Sequence, residues 1–176
     1  MDVDSGRASE VHGENLGRQQ TRRNGMNESE SDTRRATGSC LCGAVRYEVR
    51  GPLRDILFCH CENCRRTHGH FSAYTSARRE DLVITDVRGL KWFHTDKDVT
   101  PNVLRGFCQE CGSSVFWDPQ GYEYVYISAG TVDPPTGIKG AGHIWLSEAG
   151  DYYQISDDLP KAEGSSKGRF LGTPRQ

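Results

Sequence analysis

The sequence predicts a small, mainly β domain of antiparallel sheet held together by metal, and three observations carry that prediction. Apolar and polar residues alternate with a period of two in several short runs, 20 glycines supply turns between them, and seven cysteines fall into three clusters. At 176 residues the chain has room for one such domain plus tails. Its 35% of hydrophobic residues is low enough to predict that part of it does not pack.

Residues 1–36 contain no aromatic side chain and mix seven acidic residues and six arginines with Ser, Asn, Gly and Gln. Such a stretch buries too little apolar surface to offset its ordering entropy, so a disordered tail is expected. A start at Met26 is the alternative account of the first 25 residues. The domain is expected over 37–160. Val45, Tyr47 and Val49 alternate with Arg46, Glu48 and Arg50 in a half-buried strand that ends at Gly51-Pro52. Ile56-Leu57-Phe58 is a short apolar run leading to Cys59, and at most one helical turn is expected after Cys64. Further strands are read at Phe71–Ala77, Leu82–Ile84, Leu90–His94 and Val103–Phe107, with a turn at Arg79–Asp81 and a polar loop at Thr95–Pro101. Val115–Trp117 runs into the turn Asp118–Gly121, Tyr122–Ile127 alternates with both faces covered, and a Pro134-Pro135 loop precedes His143-Ile144-Trp145. Residues 161–176, rich in Gly, Ser, Lys and Arg, read as a flexible C-terminal tail.

With 22 basic and 24 acidic residues the net charge of −2 argues against a nucleic-acid partner. The sequence has no apolar run of membrane-spanning length and no basic-then-apolar leader, so a soluble, cytoplasmic protein without a membrane partner is expected. In that compartment clustered thiols favour metal over disulfides. Trp92, Trp117, Trp145 and the tyrosines 122, 124 and 126 are read as core rather than as a stacking platform, because no basic stripe accompanies them.

The cysteines divide as four plus three. Cys108-x2-Cys111-Gly112 is a zinc knuckle, and Cys40-x-Cys42-Gly43 supplies a second pair, so one ion closed by four thiolates ties the start of the domain to its later half. Cys59-x-Cys61-x2-Cys64 gathers three thiolates in six residues, the number that a catalytic zinc keeps while leaving a position open. His60, His68, His70, His94 and His143 are available in principle to close that position, although His60 alternates with the ligands and is expected to point away. A trithiolate zinc carries a net negative charge, which makes it a poor generator of hydroxide and a good acceptor of a soft external thiol. Arg65 and Arg66 follow the last ligand and are placed to offset that charge or hold an anionic substrate.

Taken in order, the motifs Gly38-Ser39-Cys40-Leu41-Cys42-Gly43, Cys59-His60-Cys61-Glu62-Asn63-Cys64-Arg65-Arg66 and Gly106-Phe107-Cys108-Gln109-Glu110-Cys111-Gly112 resemble those of the glutathione-dependent formaldehyde-activating family, a centromere-protein-V-like zinc domain. Ala129–Asp133 and His143-Ile144-Trp145 extend the resemblance to about residues 37–160. The resemblance implies a fold similar to mammalian suppressor of Sec. It implies two zinc ions per chain, one structural on Cys40, Cys42, Cys108 and Cys111 and one catalytic on Cys59, Cys61 and Cys64. It implies a carbon–sulfur lyase whose partners are a glutathione-like thiol and a small aldehyde. Arg65 is then the candidate carboxylate holder. His60, His68 or His70 is the candidate proton shuttle, with His60 counted in the catalytic set. The rival readings are a non-catalytic zinc module that binds a protein and a thiol-based zinc or redox sensor using the Cys59–Cys64 loop.

Overall fold

The alternation at 45–49 resolves as its period requires: Val45, Tyr47 and Val49 are fully buried, while Arg46 faces outward. The structure is a computed structural model that describes residues 35–98 and 100–167. Its strands are β1 (Ala36–Ser39), β2 (Arg46–Val49), β3 (Ile56–Cys59), β4 (Ser72–Arg78), β5 (Leu82–Asp86), β6 (Leu90–Thr95), β7 (Val103–Cys108), β8 (Ser114–Pro119), β9 (Tyr124–Ser128) and β10 (Gly140–Ile144). They form a three-stranded sheet in the order β1-β2-β5 and a seven-stranded sheet in the order β10-β3-β4-β9-β8-β7-β6. The class is therefore the mainly β, antiparallel one that the sequence predicts. One pair departs from it, since β10 lies parallel to β3, with Ile144 opposite Cys59.

Tyr47 and Val49 from the small sheet meet Val115, Phe116, Val125 and Ile127 from the large one in the main core. The Tyr47 and Phe116 rings touch edge to face at 5.4 Å. Each such side chain contributes about 1.5–3 kcal/mol when fully buried. β1 has no apolar period and escapes the sequence reading. It pairs with β2 because Gly38 lets the Tyr47 ring lie flat on the backbone, where a Cβ would overlap the phenol.

The helix α1 (Glu62–His68) has about one turn after Cys64, as the sequence predicts, and begins two residues before it. Its caps explain both ends. The Cys61 sulfur accepts from the Cys64 amide at 3.4 Å, the Glu62 amide donates to Glu148 Oε2 at 2.8 Å, and Gly69 at φ 73 ends the helix in the left-handed region. Among the described residues no helix is long and apolar enough to cross a membrane. Most of both expected tails, residues 1–34 and 168–176, lies outside the described residues. The first residues assigned to the C-terminal tail run beside β10: the Ala162 amide donates to the His143 carbonyl, and the Leu146 and Trp145 amides donate to the Ala162 and Gly164 carbonyls.

Candidate metal centre

Two groups of ligand atoms converge among the described residues, Cys40, Cys42, Cys108 and Cys111 in one and Cys59, Cys61 and Cys64 in the other, each within 4.8 Å. In the first, Gly43 and Gly112 take φ of 76° and 75°, so both turns fold their backbones back around the sulfurs. Cys40 Sγ lies 3.6 Å from Cys42 Sγ, which lies 3.7 Å from Cys108 Sγ. A tetrahedron with zinc–sulfur bonds of about 2.3 Å has edges of about 3.8 Å, so these sulfurs already have the spacing a zinc ion requires. The Ser113 hydroxyl sits in this turn, accepting from the Leu41 amide and meeting Cys111 Sγ at 3.2 Å.

The second group sits where β3 ends and α1 begins. Cys59 Sγ and Cys61 Sγ are 3.5 Å apart, again a fit to a tetrahedral edge. The hydrogen bond from Cys59 holds the Cys61 thiol well below its ordinary range, while the same contact and burial push Cys59 up. One thiolate is therefore favoured without a cation, and three require one. No His, Asp or Glu joins this group among the described residues.

The three sulfurs open on a cavity of about 610 Å³. Its aromatic lining is Tyr74, Trp117, Tyr126 and Trp145. Trp117, Trp145 and Tyr126 are half-buried against the core cluster of Cys59, Cys64 and Tyr74 as expected, and they face this cavity as well, whereas Trp92, 39% exposed on the edge strand β6, and Tyr122, 52% exposed, are not core. Trp145 enters at φ 62, a conformation that costs a bulky residue about 1–2 kcal/mol. The backbone bond to Gly164 helps to hold it there.

The cation beside the sulfurs is Arg105 of β7. Burial opposes its charge, but Asp98, Tyr74 and Cys64 more than restore it, and Arg105 in turn lowers Cys61. Arg105 Nη2 holds both Asp98 oxygens at 2.7 and 2.9 Å, with both side chains only 8% exposed. Asp98 also accepts from Trp117 Nε1 and Asn63 Nδ2, which fastens Asp98 to β8 and α1. The two arginines singled out in the sequence are engaged elsewhere. Arg65 Nε donates to the Glu148 carbonyl, Arg66 pairs with Glu62 on the exposed face of α1, and neither lines the cavity.

His60 also turns away from the cavity, into a chain of hydrogen bonds that runs from the interior to the half-exposed Asp157. Its Nδ1 meets Tyr153 Oη at 2.7 Å, its Nε2 meets His143 Nδ1 at 2.9 Å, and His143 Nε2 reaches Asp157 at 3.0 Å. Burial, and then His143, pull His60 down to about 4, so it is neutral. The acceptor-only Asp157 carboxylate then sets the direction. His143 donates to Asp157, His60 donates to His143, and Tyr153 donates to His60. This chain fixes the loop from behind. His143→Ala leaves the His60 N–H unpaired in the interior and is expected to cost about 1–3 kcal/mol, measured as denaturant stability of the zinc-loaded protein.

His68 meets Tyr74 Oη at 3.0 Å and lines a second cavity of about 390 Å³. Burial, and then Arg105, pull His68 down to about 4, and burial raises Tyr74, so the pair is neutral near pH 7. His70 meets Tyr152 at 3.4 Å, and His94 is exposed on β6.

Comparison with known proteins adds the following. The profile of a family described as "Glutathione-dependent formaldehyde-activating enzyme" matches residues 35–148. A Halomonas elongata protein named "Putative glutathione-dependent formaldehyde-activating enzyme" is 30% identical over 128 residues, covering 67% of this chain and 79% of its own. A crystal structure of a Rhodobacter sphaeroides protein aligns with a TM-score of 0.47 at 24% identity, over 56% of this chain and 88% of the other.

Proposed function

Because the chain belongs to the glutathione-dependent formaldehyde-activating family, we propose that it is a zinc-dependent carbon–sulfur lyase acting on a thiol–aldehyde adduct of the S-hydroxymethylglutathione class. The observation that supports this most is an asymmetry. The three-cysteine group lines the 610 Å³ cavity and the four-cysteine group does not. A cavity of that size suits a tripeptide-sized ligand.

In the cleavage direction the carbon–sulfur bond of the hydroxymethyl adduct breaks and its electron pair goes to sulfur. The hydroxyl loses its proton as the carbon–oxygen bond becomes double, giving thiol and aldehyde, and addition is the reverse. A zinc ion held by Cys59, Cys61 and Cys64 would supply a soft acceptor for the external sulfur. The charge of Arg105 beside Cys61 and Cys64 offsets the negative charge that collects on sulfur. Trp117, Tyr126 and Trp145 exclude water from the reacting carbon, and Asn63 and Asp98 hold the loop across that wall. The hydrogen bond between His68 and Tyr74 orients the cavity wall beside the sulfurs. The four cysteines of the other site would hold a structural zinc, for two per chain.

Exchange spectroscopy by NMR tests this reading directly. Zinc-loaded protein is expected to speed the exchange of formaldehyde between free and glutathione-bound forms, and a chelator that strips the three-cysteine site is expected to abolish the effect. Protein with both sites filled that leaves the exchange at its spontaneous rate would eliminate the lyase reading.

A further inference from the structure

The cavity beside the three sulfurs is lined in part from beyond residues 35–148, the stretch that matches the family. Ser165 and Ser166 belong to its lining, although composition assigns them to a flexible tail. Backbone bonds account for their place. After β10 the chain returns beside that strand. The His143 amide donates to the Pro160 carbonyl at 2.8 Å, and the Ala162 amide donates to the His143 carbonyl at 2.9 Å. The Trp145 amide donates to the Gly164 carbonyl at 2.9 Å, and the Ser147 amide and hydroxyl both donate to the Glu163 carbonyl. Residues 160–164 are thus a fixed strap, and the two serines follow directly from its pinned end.

The strap acts on the site at two further points. Its Gly164 carbonyl holds Trp145, an aromatic wall of the cavity, at φ 62. The segment that leads into it supplies Tyr153 to His60 and Asp157 to His143, behind the metal loop. Other polar side chains of the lining are committed to the chain itself. Asp98 is held by Arg105 and Asn63, Glu148 caps the Glu62 amide, and Arg54 binds Ser76 Oγ and the Tyr74 carbonyl. Among the described residues the hydroxyls of Ser165 and Ser166 have no hydrogen-bond partner. A hydroxyl donates and accepts, so each of them suits the N–H and C=O groups of a peptide-like ligand. Because the backbone that carries them is already pinned, little further ordering opposes such binding.

We propose that Ser165 and Ser166 are specificity-determining residues whose hydroxyls bind the part of the ligand that lies beyond its sulfur. They favour a thiol that carries amide groups over a bare one. This rests on the thiol-binding reading above and adds to it the residues that read the rest of the molecule. Nothing in Gly164-Ser165-Ser166-Lys167 marks them, because such a run reads alike in a tail and in a strap.

Binding to the cobalt-substituted full chain, followed through the sulfur-to-cobalt absorption bands, tests this. The probes are glutathione and 2-mercaptoethanol, which offers a thiol and no amide. The variant is Ser165→Ala with Ser166→Ala. Since neither hydroxyl has a partner within the chain, its melting temperature is expected to match that of the parent. Glutathione is expected to bind at least about fivefold more weakly to the variant, the effect of two neutral hydrogen bonds. The affinity for 2-mercaptoethanol is expected to stay unchanged. Unaltered glutathione affinity would overturn the proposal and leave the thiol reading intact. An equal loss for both thiols would also overturn it, because the serines would then act through the metal loop and not on the ligand. Bands that neither thiol moves in the unaltered protein would bring down the thiol reading and this proposal with it.

Discussion

Replacing Cys108 by serine is expected to leave the chain without a stable fold at 37 °C. Cys108 is completely buried, and its sulfur is packed so closely that a Cβ on Gly89 would come within 2.8 Å of it. The four sulfurs of that group join the 40–43 turn to the end of β7, two parts of the chain also linked by the Gly89 backbone bonds to Ala44 and Gln109 and by the Leu41 amide bond to Ser113 Oγ. Zinc binding in small structural sites amounts to about 10–16 kcal/mol, against a net stability of about 5–15 kcal/mol for a whole domain. Losing one ligand is therefore enough to tip the balance. Circular dichroism and zinc content measured together check this: the variant should lose its cooperative melting transition and retain less than one zinc. A variant that melts like the parent would show the four-cysteine group to be dispensable.

Replacing Cys61 by serine is expected to do the opposite, abolishing turnover in a chain that still folds. The Cys61 sulfur caps α1, and serine is among the residues best suited to that position, so its hydroxyl can take over the hydrogen bond from the Cys64 amide. The loop keeps its other supports, including the His60 amide bond to the Ile144 carbonyl and the hydrogen-bonded chain to Asp157. What the substitution removes is one of three metal ligands. Activity is expected to fall by more than about a hundredfold while the melting temperature moves by only a few degrees, about what 1 kcal/mol produces in a domain of this size. Unfolding to the extent seen with Cys108→Ser would make both metals structural.

The two substitutions concern residues that the sequence displays openly, and there is a physical reason for that. Ligands two or three residues apart create a metal site by local geometry, so Cys59-x-Cys61-x2-Cys64 and Cys108-x2-Cys111 are legible without a fold. Strands whose faces differ in burial are legible too, as at Tyr47 and Val49. What surrounds the metal is not local. Arg105 sits in an apolar strand and becomes the cation of the site only because Asp98, seven residues earlier, folds back onto it. Arg65 and Arg66 are nearer in sequence, but the helical turn carries one to the Glu148 carbonyl and the other to Glu62. The partners of His60 lie 83 and 93 residues away, brought in by the parallel strand β10 and the segment that follows it. Helix α1 begins before Cys64 for the same reason, since Glu148 caps it from a distance of 86 residues. Period and spacing reveal ligands and faces, whereas charge compensation depends on contacts that only the folded chain creates.

X-ray absorption at the zinc edge, recorded with and without glutathione, tests the division of the two cysteine groups most directly. Four sulfurs at one ion and three at the other average about 3.5 sulfurs per zinc, and a thiol entering the three-cysteine site should raise that average to about 4. An average that starts at 4, or one that glutathione does not move, would contradict the assignment of Cys59, Cys61 and Cys64 to a site that accepts an outside sulfur.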